Sequence, residues 1–267
     1  MINIQKMIEE ALTAGYQGDN ASAKVCQDII LKALATGTLS RNVTIKGGVV
    51  MRSKTQNIRR ATQDLDIDFI KYSLADEAIN MFVKKINCLE GIVIKRVGKI
   101  EELKQQDYSG KRIYIIIADE MENQVKSKID LGVHNRFEIE QEEYCFDIAY
   151  DNEGASLLIN SNEQMFAEKL RSLLKFGPFS TRFKDVYDMY YLKDYVDMYK
   201  LSKALDIYIF DDLKMREKCG KDIVKRLRMT FNDNIYKNSL DTSDKRWIDE
   251  KIDVIIEKLL DFVSRIE

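Results

Sequence analysis

The chain of 267 residues holds one proline, one histidine and four cysteines, and each shortage narrows what it can be. A single proline and few glycines leave little material for flexible linkers, so most of the chain is expected in regular structure. Cys26, Cys88, Cys145 and Cys219 are widely spaced, form no CxxC pair and have only His134 to assist them. That pattern argues against a structural zinc site. No apolar run is long enough to span a bilayer and no signal peptide is recognisable, so no membrane partner is expected. Free thiols in a reducing cytoplasm are the default expectation. A net charge of -2 excludes a uniformly basic nucleic-acid coat, though not a local groove. Residues 52–60 and 169–184 are free of acids and concentrate positive charge.

What remains is a globular composition, 45% hydrophobic and 32% charged, long enough for one large or two ordinary domains. Apolar residues recur at helical spacing over 3–13 and 19–36. Residues 43–46 read as a short strand, with a helix expected to open near Val49. Alternation predicts a strand over 64–70, and a helix over 75–87 follows with Ile79, Phe82, Val83 and Ile86 on one face. Further strands are expected over 92–100, 112–118, 125–133 and 144–149. Near residue 157 the period changes to helical. Ser161 with Gln164 forms a capping box for a helix over 163–176. Gly177-Pro178 ends it, Ser180 is placed to cap a second helix over 181–195, and a terminal helix is expected over 243–266.

The most chemically informative residues are Ile45-Lys46-Gly47-Gly48, followed by Thr62-Gln63-Asp64-Leu65-Asp66-Ile67-Asp68. Glycines permit close backbone approach to a phosphate, and a helix that opens after them points N–H groups at an anion. On a strand the aspartates share one face, with Cα atoms roughly 6.5–7 Å apart. Crowded carboxylates raise one another's pKa, which magnesium relieves while bridging to a triphosphate. Against this stands a plainer reading: Gly-Gly is common in turns, and an alternating acidic run also serves as a solvated strand edge.

Lys169 falls inside the apolar stripe of the 163–176 helix, with Met165, Phe166, Leu170, Leu173 and Phe176. A lysine there either snorkels to the surface or meets an anion such as a phosphate. In the next helix Lys184 and Asp188 have the spacing of a surface ion pair, while Asp185 and Asp188 are spaced to project together. Spacing leaves these readings balanced.

The run Lys46-Gly47-Gly48-Val49-Val50-Met51-Arg52, then Arg60-Ala61-Thr62-Gln63-Asp64-Leu65-Asp66, resembles the AbiEii/AbiGii toxin family of nucleotidyltransferases. So does a second block, Phe166-Ala167-Glu168-Lys169-Leu170-Arg171 followed by Arg182-Phe183-Lys184-Asp185-Val186-Tyr187-Asp188. The resemblance implies an α+β fold of the DNA polymerase β-like type, a mixed sheet flanked by helices with a mainly helical C-terminal part. With the boundary that the period change sets, residues 1–157 are expected to form a nucleotidyltransferase domain with N-terminal helices, and 158–267 a helical domain that by the resemblance completes the active-site cleft. Asp64 and Asp66 match the metal-binding aspartates, and Asp130 is the best candidate for a third carboxylate. Asp68 extends beyond the motif. Lys169 matches a functional lysine, Asp185 an essential acid, and Asp188 its companion. Gly47, Gly48, Arg52 and Lys169 would serve the phosphates. Val49 departs from the family's usual Thr or Ser, which removes a hydroxyl near a phosphate. His134, four residues beyond Asp130, reads as a lone surface histidine rather than a base.

The implied activity is magnesium- or manganese-dependent transfer of an NMP from an NTP, with release of pyrophosphate. The implied acceptor is RNA such as a tRNA, and the implied biology is abortive infection and phage defence with a cognate antitoxin encoded nearby. The rival readings are a small-molecule nucleotidyltransferase of the aminoglycoside-modifying kind, and a non-catalytic nucleotide- or RNA-binding module of the same fold.

Overall fold

Alternation of apolar and charged residues produces a seven-stranded mixed sheet in the computed structural model, which describes residues 2–103, 110–242 and 244–266. The strands are β1 (Val43–Lys46), β2 (Leu65–Phe69), β3 (Ile92–Glu102), β4 (Lys111–Asp119), β5 (Gln124–Val133), β6 (Glu142–Ile148) and β7 (Asp151–Ile159). Their order across the sheet is β3-β4-β5-β2-β1-β7-β6. The pairs β2–β5 and β1–β7 are parallel, and the remaining neighbours are antiparallel. With this sheet go the helices α1 (Ile4–Thr13), α2 (Asp19–Thr36), α3 (Gly47–Thr55) and α4 (Asp76–Ile86). Together they form one compact unit, Met1–Asn160.

On one sheet face Leu65, Ile67 and Phe69 of β2 join Ile113, Ile115 and Ile117 of β4 and Ile129 and Leu131 of β5, all buried. Helix α2 packs against β5, β6 and β7, and α4 packs against β3. Fixing one face as core leaves the alternate positions of β2, β4 and β5 to carry charge.

The second unit, Ser161–Glu267, contains no strand among its described residues. Its helices are α5 (Asn162–Phe176), α6 (Phe183–Leu192), α7 (Met198–Leu205), α8 (Gly220–Phe231), α9 (Asn234–Thr242) and α10 (Ile252–Ser264). Ser161 caps α5 as its spacing implies, its Oγ accepting from the Gln164 N–H at 3.1 Å. Ser180 does not cap α6. Arg182 holds the N-cap position there, and the Ser180 hydroxyl accepts from the Arg182 N–H.

Three further differences have local causes. Strand β7 is not anticipated by the sequence, because the hairpin joining it to β6 turns through Ala149-Tyr150, a pair without the Gly, Asn or Asp of tight turns. The terminal helix begins at Ile252, while Ser243, its expected start, lies outside the described residues. Ahead of the helix, the Arg246 guanidinium donates to the Ile248 and Glu250 carbonyls, which holds this stretch in an irregular path. His134 is buried, edge-on to Phe137, rather than exposed.

A buried charge cluster ties α2 to α3. Asp28 is fully buried, pairs with Lys24, lies 4.0 Å from the Arg52 guanidinium and accepts from the Ala149 N–H. Burial lowers the pKa of Arg52, opposed by Asp28 and Tyr16. Replacing Asp28 with Ala strands two cations, and is expected to reduce stability by about 3 kcal/mol in urea denaturation; a loss under about 1 kcal/mol would mean that the cluster contributes little.

Candidate active site

Helix α3 begins at Gly47 itself, so the first-turn N–H groups emerge directly at the end of β1. The two glycines are required by what packs on them. Gly47 has φ +67°, and a Cβ there would overlap the Asp66 Oδ2. A Cβ on Gly48 would lie 2.7 Å from both Cβ and Oγ1 of Thr62. The glycine turn thus seats the approach to β2, and Gln27 of α2 holds that approach by donating to the Thr62 carbonyl at 2.9 Å.

Sheet register then brings the charged residues together. Lys46 is opposite Asp66 across β1–β2, Asp66 opposite Asp130 across β2–β5, and Asp130 opposite Arg112 across β5–β4. A row of Lys46, Asp66, Asp130 and Arg112 therefore crosses four strands. Arg112 donates to both oxygens of Asp130, from Nε at 2.7 Å and from Nη2 at 2.8 Å, and this pairing raises the guanidinium pKa. Lys128 Nζ is 2.7 Å from Asp64 Oδ1, and Lys46 Nζ is 2.7 Å from Asp68 Oδ1. Asp68 is buried, so its partner Lys46 is what makes a carboxylate tolerable there.

Asp64, Asp66 and Asp130 offer only carboxylate oxygens, the donor chemistry of a hard divalent cation. Among the described residues, however, no three His, Cys, Asp or Glu side chains are gathered closely enough to hold a metal ion. The side chains of Asp64 and Asp130 are instead turned to Lys128 and Arg112. The donor types fit such a cation, and two basic residues stand on the oxygens it would use.

Arg52 is not among these residues. Expected at the phosphates, it is buried against Asp28. Arg60 is buried as well, so the basic run 52–60 does not form a continuous cationic surface. Val49 is fully buried and serves the core.

The second unit gathers the residues of the other block. Lys169 of α5 is buried, with Nζ 2.8 Å from Asp185 Oδ1 and 2.7 Å from Asp188 Oδ2, both on α6. Arg182 Nε reaches Asp185 Oδ2 at 2.9 Å, and the Trp247 indole N–H donates to Asp188 Oδ1 at 3.1 Å. The lysine does not snorkel: it faces two carboxylates. The carboxylate of Asp185 adds to burial in raising the pKa of the Tyr236 hydroxyl. Lys46, Arg112, Lys128 and Trp247 were not evident as site residues in the sequence; the alternation Lys126-Ser127-Lys128-Ile129-Asp130 is the one local sign.

A family model described as nucleotidyl transferase AbiEii toxin of a type IV toxin–antitoxin system matches residues 29–260. The chain belongs to the AbiEii nucleotidyltransferase toxin family. The match spans both groups of site residues and leaves α1 outside. A comparison with curated proteins found no match. Among solved structures, an antigenic nucleotidyltransferase-like protein from Paracoccidioides brasiliensis aligns over 82% of this chain and 91% of its own, at 11% identity and a TM-score of 0.44.

Two substitutions separate packing from chemistry in this AbiEii-family chain. Gly47→Ala forces Asp66 to move, and a displacement near 1 Å is expected to cost roughly 100-fold in turnover; unchanged turnover would show that the Asp66 position is uncritical. Lys169→Met leaves Asp185 and Asp188 without their shared cation, and should lower stability by about 3–5 kcal/mol. A Lys169→Met protein as stable as the wild type in denaturant titration would refute the structural part of that assignment.

Proposed function

We propose that this AbiEii-family nucleotidyltransferase moves an NMP from an NTP to an RNA acceptor such as a tRNA, with release of pyrophosphate, as the toxin of a pair whose antitoxin is encoded nearby. The observation that carries the reading is the register pair Asp66–Asp130 beside the glycine-led N-terminus of α3. Carboxylates and the N-terminus of a helix stand side by side, as a reaction that places a triphosphate beside cations requires.

Gly47 and Gly48 would present N–H groups to the β- and γ-phosphates. Asp64, Asp66 and Asp130 would hold magnesium or manganese, which when bound neutralises the phosphates and acidifies the attacking hydroxyl. Asp130 would also take the proton of that hydroxyl. Lys128 and Arg112, now on Asp64 and Asp130, would move to the anionic substrates as those carboxylates turn to the cations. The same reading makes Lys169 a functional residue of the second unit, with Asp185 and Asp188 orienting its ammonium.

The test is a transfer assay with each α-labelled NTP, magnesium and total cellular RNA. Label is expected in a tRNA-sized band with the wild type and not with Asp66→Asn, whose circular dichroism and melting temperature should match the wild type. Transfer at full rate by Asp66→Asn would sink the metal assignment, and the absence of RNA label with NTP binding intact would sink the RNA acceptor.

A further inference from the structure

The second unit carries a basic stretch that the transfer chemistry leaves unused. Residues 214–228 hold seven basic and two acidic side chains, in a chain whose net charge is -2. This stretch is neither of the acid-free runs 52–60 and 169–184, whose Arg52, Lys169, Arg171 and Arg182 meet carboxylates. Its own two acids are withdrawn from the surface. Glu217 is buried, and Asp222 is half-buried and accepts from the Lys218 N–H at 3.0 Å. Lys214, Arg216, Lys221, Lys225 and Arg228 are exposed, and among the described residues none of the five forms an ion pair.

Helix α8 sets three of these cations in a line. Lys221, Lys225 and Arg228 stand at i, i+4 and i+7, on one face, in steps of about 6 and 4.5 Å along the axis. Ile223, Leu227 and Phe231, on the other side of the helix, are buried. What the exposed face binds follows from what it lacks. A protein interface centres on apolar and aromatic residues and is poor in lysine, whereas Met229 alone of the α8 apolar side chains is exposed. A helix that lies in a membrane surface needs its apolar side free, and α8 buries that side within its own unit. A row of unpaired cations suits a polyanion with repeating charges, the phosphate backbone of a nucleic acid.

We propose that the α8 face of Lys221, Lys225 and Arg228, with Lys214 and Arg216 on the chain that enters the helix, binds the phosphate backbone of the RNA acceptor. The inference rests on the transferase reading given above. Phosphate contacts position a strand without reading its bases, so this face anchors RNA irrespective of sequence.

The test measures binding of a tRNA and of an unrelated RNA of equal length, in EDTA without NTP, by fluorescence anisotropy across a series of NaCl concentrations. The wild type should bind both. Lys221→Gln, Lys225→Gln and Arg228→Gln combined should weaken binding about tenfold and lower the slope of log Kd against log salt by roughly 2–3, near 1 for each lost phosphate contact. A control combining Lys84→Gln, Lys85→Gln and Lys99→Gln, exposed cations of the first unit, should leave both quantities unchanged. In the transfer assay the α8 variant should raise the KM for RNA and leave that for NTP unchanged. No RNA binding by the wild type, an unchanged slope in the α8 variant, or an equal fall in the control would overturn the proposal. So would variant-sensitive capture of polyglutamate or phosphatidylserine vesicles in place of RNA. Arg228→Gln alone, expected to lower the slope by roughly 1, keeps the test valid if the combined variant fails to fold. Wild-type transfer to RNA with the α8 variant unaffected would reject the face and spare the function; variant-sensitive RNA binding without any wild-type transfer would do the reverse.

Discussion

Charge neutralisation across the sheet is the constraint from which the rest of the first unit follows. β2 and β5 put Asp66 and Asp130 in register, with Asp64 and Asp68 on the same β2 approach. Carboxylates this close repel unless cations meet them. The sheet supplies those cations from its own strands: Lys46 from β1, Arg112 from β4 and Lys128 from β5. Each pairing asks for an exact register, so the ladder and the charge pattern enforce one another. The glycine turn answers the same constraint from another direction, because Asp66 and Thr62 take up the space that side chains at 47 and 48 would need.

The second unit solves a similar problem by burial. Lys169 shares one ammonium between Asp185 and Asp188, Arg182 pairs with the outer oxygen of Asp185, and the Trp247 N–H donates to that of Asp188. Such a cluster is specific in geometry and costly to break. The two units thus use opposite settings for the same charges. One pairs its carboxylates with a separate cation from each of three strands, and the other gathers two around a single lysine.

Much of this was legible before any coordinates. The strand expected over 64–70 and found as Leu65–Phe69, the helices flanking Gly177-Pro178 and the capping Ser161 follow from alternation, helical period and local hydrogen bonding, which depend on near neighbours in the chain. The misfit of Lys169 on an apolar stripe left snorkelling and a phosphate contact as the readings, and the structure buries the ammonium against Asp185 and Asp188. Arg52 was misplaced because a basic residue just after a glycine turn is as well placed, by spacing, for a phosphate as for a core carboxylate. Asp28, twenty-four residues earlier on α2, is the partner, and nothing local to Arg52 names it. β7 was missed because a turn through Ala149-Tyr150 carries no turn chemistry.

The sequence by itself determined most element types, the glycine turn at Gly47 and Gly48, the shared face of the alternating aspartates and membership in the nucleotidyltransferase toxin family. The tertiary structure alone decided which cation meets which acid: Arg112 for Asp130, Lys128 for Asp64, Lys46 for Asp68, and Asp28 for Arg52. The physical reason is range. Periodicity and turn preference act over a few residues, whereas an ion pair across a sheet depends on the register of strands far apart in the chain, and that register is settled only when the whole buried face closes.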